Sequence, residues 1–136
     1  ALSIANSSAT TFNDTVDAAS LSVNASGITQ FNGIVTAGSV VTDAPGTVKF
    51  NITTPVNGTS VRTTGTQTYN DPMTLLANTV LSSTGVAGDI SFMNTITCSF
   101  NVPIAKPPLN SPKPVLGSCT SSVGAMDGTQ YLIGFG

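Results

Sequence analysis

Polar and apolar side chains alternate in short runs along the first hundred residues, and the runs recur at a fixed interval. The aromatic residues Phe12, Phe31, Phe50 and Tyr69 are each 19 positions apart, and each is followed by asparagine: Asn13, Asn32, Asn51 and Asn70. Gly27, Gly46 and Gly65 keep the same interval. The residue before each aromatic is polar (Thr11, Gln30, Lys49, Thr68), and the one before that (Thr10, Thr29, Val48, Gln67) shares the aromatic's face. Alternation of this kind has the period of a strand with one buried face.

Copies of the unit begin at Ala9, Ile28, Thr47, Thr66 and Asp89, which puts Phe92 in the aromatic column of the fifth. The fourth copy is longer by four residues, near the turn sequence 84–88. Two further inward pairs follow in each copy. One is carried by Val16, Val35, Thr54, Met73 and Ile96 with Ala18, Ala37, Val56, Leu75 and Cys98. The other includes Leu21, Val40, Val23, Val61 and Val80. Three short strands per copy, with turns at the Asn and Gly columns, predict an all-β, right-handed parallel β-solenoid of about five 19-residue coils. A helical solenoid is disfavoured, because such repeats run to about 33 residues or more and this unit is rich in Thr, Asn, Gly and Val.

Stacking sets the expected energetics. Column neighbours lie about 4.8 Å apart, and each buried aromatic contributes roughly 1.5–3 kcal/mol by transfer from water. The Asn column is expected to run amide hydrogen bonds up the corner, and the Gly column to supply positive φ.

The repeat stops near residue 100. Pro103, Pro107, Pro108, Pro112 and Pro114 prevent regular ladder pairing, so residues 101–136 read as a Pro-rich C-terminal cap of the same domain. A disulfide between Cys98 and Cys119 would pin that cap to the last coil, with a contribution of about 3 kcal/mol. The closing strand-like segment, with Tyr131, Leu132, Ile133 and Phe135, either completes the cap or adds as an assembly strand to a neighbouring chain.

Composition agrees with a β fold whose solvent side is hydroxyl and amide. The chain has 16 Ser, 21 Thr and 11 Asn, only 7% charged residues, and neither His, Glu nor Trp. Its three Lys and one Arg are scattered, so there is no basic stripe for nucleic acid. No apolar run approaches the roughly 18 residues of a membrane span. Without His, a Ser nucleophile lacks its usual base, and a Ser–Lys pair has no supporting motif. Asp14 and Asp71 share a sequence column but three coils apart, roughly 14 Å by strand spacing, which is too far for a glycosidase pair. Arg62, the only arginine, is assigned to a different side of the coil from Asp17. These residues predict no enzyme, cofactor or metal site. Several Asn-x-Ser/Thr triplets, at Asn6, Asn13, Asn24, Asn51 and Asn57, are expected by chance in such a composition.

The coil sequences Val61-Arg-Thr-Thr-Gly-Thr-Gln-Thr-Tyr-Asn-Asp-Pro and Leu21-Ser-Val-Asn-Ala-Ser-Gly-Ile-Thr-Gln-Phe-Asn-Gly resemble repeats of filamentous-haemagglutinin-like and autotransporter-type bacterial exoproteins. The resemblance covers about residues 1–100. It implies a secreted or surface-displayed solenoid that serves as an adhesin stalk or contact surface, and it carries over no functional residue. The Pro-rich tail and the cysteine pair depart from the family pattern. The expected function is that of an extracellular structural protein, as an adhesin segment or a filament subunit assembled by coil stacking or strand addition. Its partners would be further copies of the chain or a host or matrix surface of glycan or protein. A carbohydrate-active β-helix enzyme is the competing expectation.

Overall fold

The computed structural model describes residues 1–86, 88–98 and 130–133. Strands β1 (Leu2–Ile4), β2 (Thr10–Phe12) and β3 (Val16–Ala18) form the first coil. The second consists of β4 (Leu21–Val23), β5 (Ile28–Phe31) and β6 (Val35–Ala37). The third is β7 (Val40–Thr42), β8 (Thr47–Phe50) and β9 (Val61–Thr63), and the fourth β10 (Gln67–Tyr69), β11 (Met73–Leu75) and β12 (Thr79–Ser83). Strands β13 (Ile90–Phe92) and β14 (Ile96–Cys98) begin a fifth.

Each coil contributes one strand to each of three sheets, with orders β1-β4-β7-β10-β13, β2-β5-β8-β11-β14 and β3-β6-β9-β12. We call these the first, second and third faces. All pairings between coils are parallel, and the chain is a β-solenoid with no helix among the described residues. Strand β15 (Gln130–Ile133) closes the third face by pairing antiparallel with β12 of its own chain. Cys119 and Phe135 lie outside the described residues, as does the side chain of Cys98, and with them the expected disulfide.

Alternation produces these strands as the sequence predicts. In β4, β6, β7 and β9 the outer two side chains are buried and the middle one is exposed. The inward set forms one continuous core, from Ile4 through Phe31, Val35, Phe50 and Tyr69 to Ile96.

The 19-residue register holds through the first two coils and as far as Phe50 in the third. Leu2, Leu21 and Val40 pair in turn on the first face, Thr10, Thr29 and Val48 on the second, and Val16 with Val35 on the third. Beyond Phe50 it slips. Val35 pairs with Val61, Val40 with Gln67 and Val48 with Met73. The cause is segment 51–60, which leaves the sheet and so removes one of the three strands of the sequence period. Thr54 and Val56, expected inward, are exposed. Val61 is inward but on the third face, and in β12 the inward residue is Leu81, with Val80 turned outward and only half-buried. Met73, Leu75 and Ile96 stack on Val48 and Phe50 of the second face rather than above Val16 and Ala18. The four-residue lengthening of the next coil is present: Gln67 pairs with Ile90 and Met73 with Ile96.

The aromatic column survives the slip in space but changes face. Phe12, Phe31 and Phe50 stack with centroid spacings of 5.2 and 5.6 Å on the second face. Tyr69 lies on the first face between Thr42 and Phe92. It meets Phe50 edge-on at 6.1 Å and 88°, then stacks on Phe92 at 5.4 Å. Edge-to-face and offset stacking are both favourable arrangements, so the core absorbs the change of face without a break in the ladder.

The Gly column also has a different cause from the one its sequence suggests. Among the described residues only Asn57 and Gly58 have positive φ. Gly27 and Gly46 are small because a Cβ would run into the backbone carbonyls of Ser8 and Ala25 in the coil below. Gly65 sits over Gly38, whose carbonyl accepts its N–H at 2.7 Å.

Candidate functional site

Segment 51–60 is the largest departure from a regular coil. It begins in register, with the Asn51 N–H donating to the Phe31 carbonyl at 2.8 Å and Ile52 buried. Thr53, Thr54 and Pro55 then run exposed into a two-residue hairpin. Val56 and Thr59 exchange backbone hydrogen bonds of 3.2 and 2.9 Å around Asn57 and Gly58, at φ of 51° and 74°. Asn-Gly is the pair that such a turn favours, since both central residues need positive φ. Ser60 returns the chain to the core: it is buried, its carbonyl accepts from Val35, and its hydroxyl accepts from the N–H of Val80.

The hairpin forms one wall of a groove of about 440 Å³. Val56, Asn57 and Thr59 line one side, and Thr15, Ile34, Thr36 and Arg62 the other. This is within the size range of small-ligand pockets. Arg62 is exposed at the middle of β9, paired in register with Thr36 below and Ser82 above. Asp17 pairs with Thr36, so Asp17, Thr36 and Arg62 form one outward column. The slip thus places Arg62 on the same face as Asp17, contrary to the assignment made from the sequence period. Asp17 and Arg62 are separated by two strand spacings, about 9.6 Å along the stack, and Arg62 lines the groove.

The same slip separates the two acids that share a sequence column. Asp14 follows β2 at the corner after the second face, where its Oδ1 accepts from the Thr15 N–H at 2.7 Å. Asp71 follows β10, at the corner after the first face. Tyr69 pairs with Thr42 of the coil below, so Asn70 continues beside Asp43 and Asp71 lies one position further on. The Asp71 N–H donates to the Thr42 hydroxyl at 3.1 Å, and the Asn70 amide donates to the Thr42 carbonyl at 2.7 Å. Asp71 is 2% exposed, and neither carboxylate oxygen has a hydrogen-bond partner of good geometry. Burial first, and then the charge of Asp43, push its carboxyl up to about 6, with the Thr42 hydroxyl opposing.

The asparagine column is likewise divided. Asn32 donates to Asn13 at 2.8 Å, as the ladder predicts. Asn70 serves the other corner, where Asn94 donates to its carbonyl at 3.3 Å. Inside the fourth coil Gln67, inward as the alternation predicts but moved by the slip to the first face, is fully satisfied. It donates to the Ser82 carbonyl at 2.8 Å and to Thr63 at 3.1 Å, and accepts from Tyr69 at 2.8 Å. Burial pushes the Tyr69 phenol up, so it stays a donor at all physiological pH.

Sequence periodicity conceals both the groove and the Asp43–Asp71 corner, because each depends on the slip. One signal was available: Pro55-Val-Asn-Gly, a hairpin turn where the period demands a strand. No described group of three or more His, Cys, Asp or Glu is arranged to hold a metal ion, and no described helix is long and apolar enough to cross a membrane. The resemblance of the coils to exoprotein repeats rests on the residues quoted for it: no family model matches the sequence, and no curated protein or solved structure matches it.

Proposed function

We propose that this chain is a structural segment of a secreted or surface-displayed β-solenoid, a rod that makes adhesive contact through the groove beside Arg62. The observation that carries this reading is the groove itself. A regular coil needs only short corners, and the 51–60 hairpin adds nothing to the core beyond Ile52 and Ser60 while it walls in an exposed arginine. Loops of this kind, held by a rigid scaffold, are where binding residues concentrate. The surrounding surface suits contact as well. Ser3, Ser22, Val41, Thr68 and Ser91 run up the first face, and Thr11, Gln30, Lys49 and Thr74 up the second. Such mostly polar ladders at strand spacing can exchange water for the hydrogen-bonding groups of a matching polar surface, with Lys49 as the one charge among them.

The partner is accordingly a glycan or protein surface of a host or matrix, with further copies of the chain, stacked or joined by strand addition, as the supporting filament. The carbohydrate-active alternative would have to use Asp71, whose carboxyl burial raises, as acid–base catalysis can require. Asp71 is too deeply buried for a glycosidic oxygen to reach, which favours the structural reading.

The full chain applied to immobilised glycans and matrix proteins tests this. Binding is expected, and Arg62→Gln should weaken it about tenfold or more through loss of charged hydrogen bonds. No retained surface, together with a strictly monomeric species by light scattering and negative-stain imaging, would overturn it.

A further inference from the structure

Arg62 is the only charged residue among those that line the groove. Among the described residues its guanidinium has no hydrogen bond or ion pair. A guanidinium presents a planar fork of N–H donors that matches the two oxygens of a carboxylate. The rest of the lining is neutral. Thr15, Thr36, Thr59 and Asn57 bring three hydroxyls and an amide, while Ile34 and the 56% exposed Val56 supply apolar contact. Hydroxyls that both donate and accept, two apolar patches and a single cation are together the complement of a sugar ring with one acid group. An acidic peptide would bring several negative charges to one guanidinium, and a neutral sugar would leave that guanidinium unanswered.

Charges outside the lining orient such a ligand. The groove runs from Thr15, before β3 of the first coil, up to Arg62 in β9 of the third. Asp14 adjoins Thr15 in the chain, and Asp17 stands two strand spacings below Arg62 in the same outward column. A carboxylate is therefore drawn to the upper end and repelled from the lower one. Given that the groove is the contact site, we infer that it takes an acidic sugar unit, a uronic or a sialic acid, with its carboxylate on Arg62. The hydroxyl-bearing ring then lies against Thr36, Thr59 and the Asn57 amide.

Titration calorimetry of the full chain tests this with trigalacturonate, sialyllactose, the methyl ester of each, a sulfated lactose and a tri-aspartate peptide. One or both acids should bind, and which one binds identifies the source of the sugar. The methyl ester keeps the ring and its hydroxyls without the charge, and should bind about tenfold more weakly. In Arg62→Gln the acid and its ester should bind alike. Arg62→Lys keeps the charge without the fork and should restore only part of the preference. Asp17→Asn should tighten the acid about twofold and leave the ester unchanged. Equal binding of acid and ester, or a preference that survives Arg62→Gln, would overturn the inference. So would tighter binding of the sulfated sugar or of the peptide. If matrix surfaces are retained through Arg62 while neither acid binds, the groove stays a contact site and this ligand is wrong. No binding to any probe or surface would remove the contact site as well.

Discussion

The first three coils and the junction between the third and fourth are built from the same 19-residue unit, yet they fold differently. In the lower stack every repeat position returns to its own face, and Phe12, Phe31 and Phe50 stack within 10° and 21° of parallel. At the junction the period continues in the sequence while the chain falls one face short of a full turn, and Phe50 meets Tyr69 at 88°. Sequence period and structural period are therefore separable. An inward aromatic fits any of the three faces, because all three enclose the same core. The regular stack supplies rigidity, and the irregular junction supplies the groove and the acid pair.

Substitutions in the two regions should differ in size. The largest effect is expected for Phe31→Ala, which removes a ring buried to 1% exposure between two stacked neighbours. Its loss should cost about 3–5 kcal/mol in denaturant unfolding. Phe12→Ala, at a half-buried rung with one stacked neighbour among the described residues, should cost clearly less. If the two cost the same, the ladder is not the main support of the lower coils.

Corner glycines sharpen the contrast. A Cβ at Gly33 would run into the Asp14 backbone of the coil below, so Gly33→Ala should destabilise by about 1–3 kcal/mol. At the hairpin tip a Cβ on Gly58 meets nothing within 4 Å, and only its φ of 74° opposes substitution. Gly58→Ala should cost about 1 kcal/mol or less and leave the coils intact by circular dichroism.

Much of this was legible from the residues. Alternation around Phe12, Phe31 and Phe50 defines the strands, their 19-residue interval defines the coil, and the longer turn near Gly85 is visible as four extra residues. The slip was not legible, because Thr54 and Val56 satisfy the inward pattern well enough to pass for a strand. The local hairpin chemistry of Asn57-Gly58 overrides them. With the slip hidden, Asp71 was grouped with Asp14 instead of Asp43, and Arg62 was placed away from Asp17. The Gly column shows the same limit. Sequence shows that a small residue is required, and only the stacked backbone shows why.

A smaller effect concerns the acid pair. The Asp71 carboxyl lies near 6 in the folded chain against an ordinary value of 3.8, so the folded state binds the proton more tightly than the unfolded one. The stability that this group contributes should be fully present below about pH 4 and be lost as pH rises through about 6. Asp71→Asn should flatten that part of the profile, which melting curves across pH 4–7 would check.

The slip itself is best tested by cross-linking outward residues in chains with Cys98 and Cys119 replaced by Ser. Val41 and Thr68 are paired neighbours on the first face, at a strand spacing of about 4.8 Å that falls within disulfide reach. A strict 19-residue register would instead put Lys49 beside Thr68. The account predicts that Val41→Cys with Thr68→Cys oxidises readily to a bond identified by peptide mapping, while Lys49→Cys with Thr68→Cys does not. The reverse outcome would contradict the slip, and with it the groove and the acid pair that the slip creates.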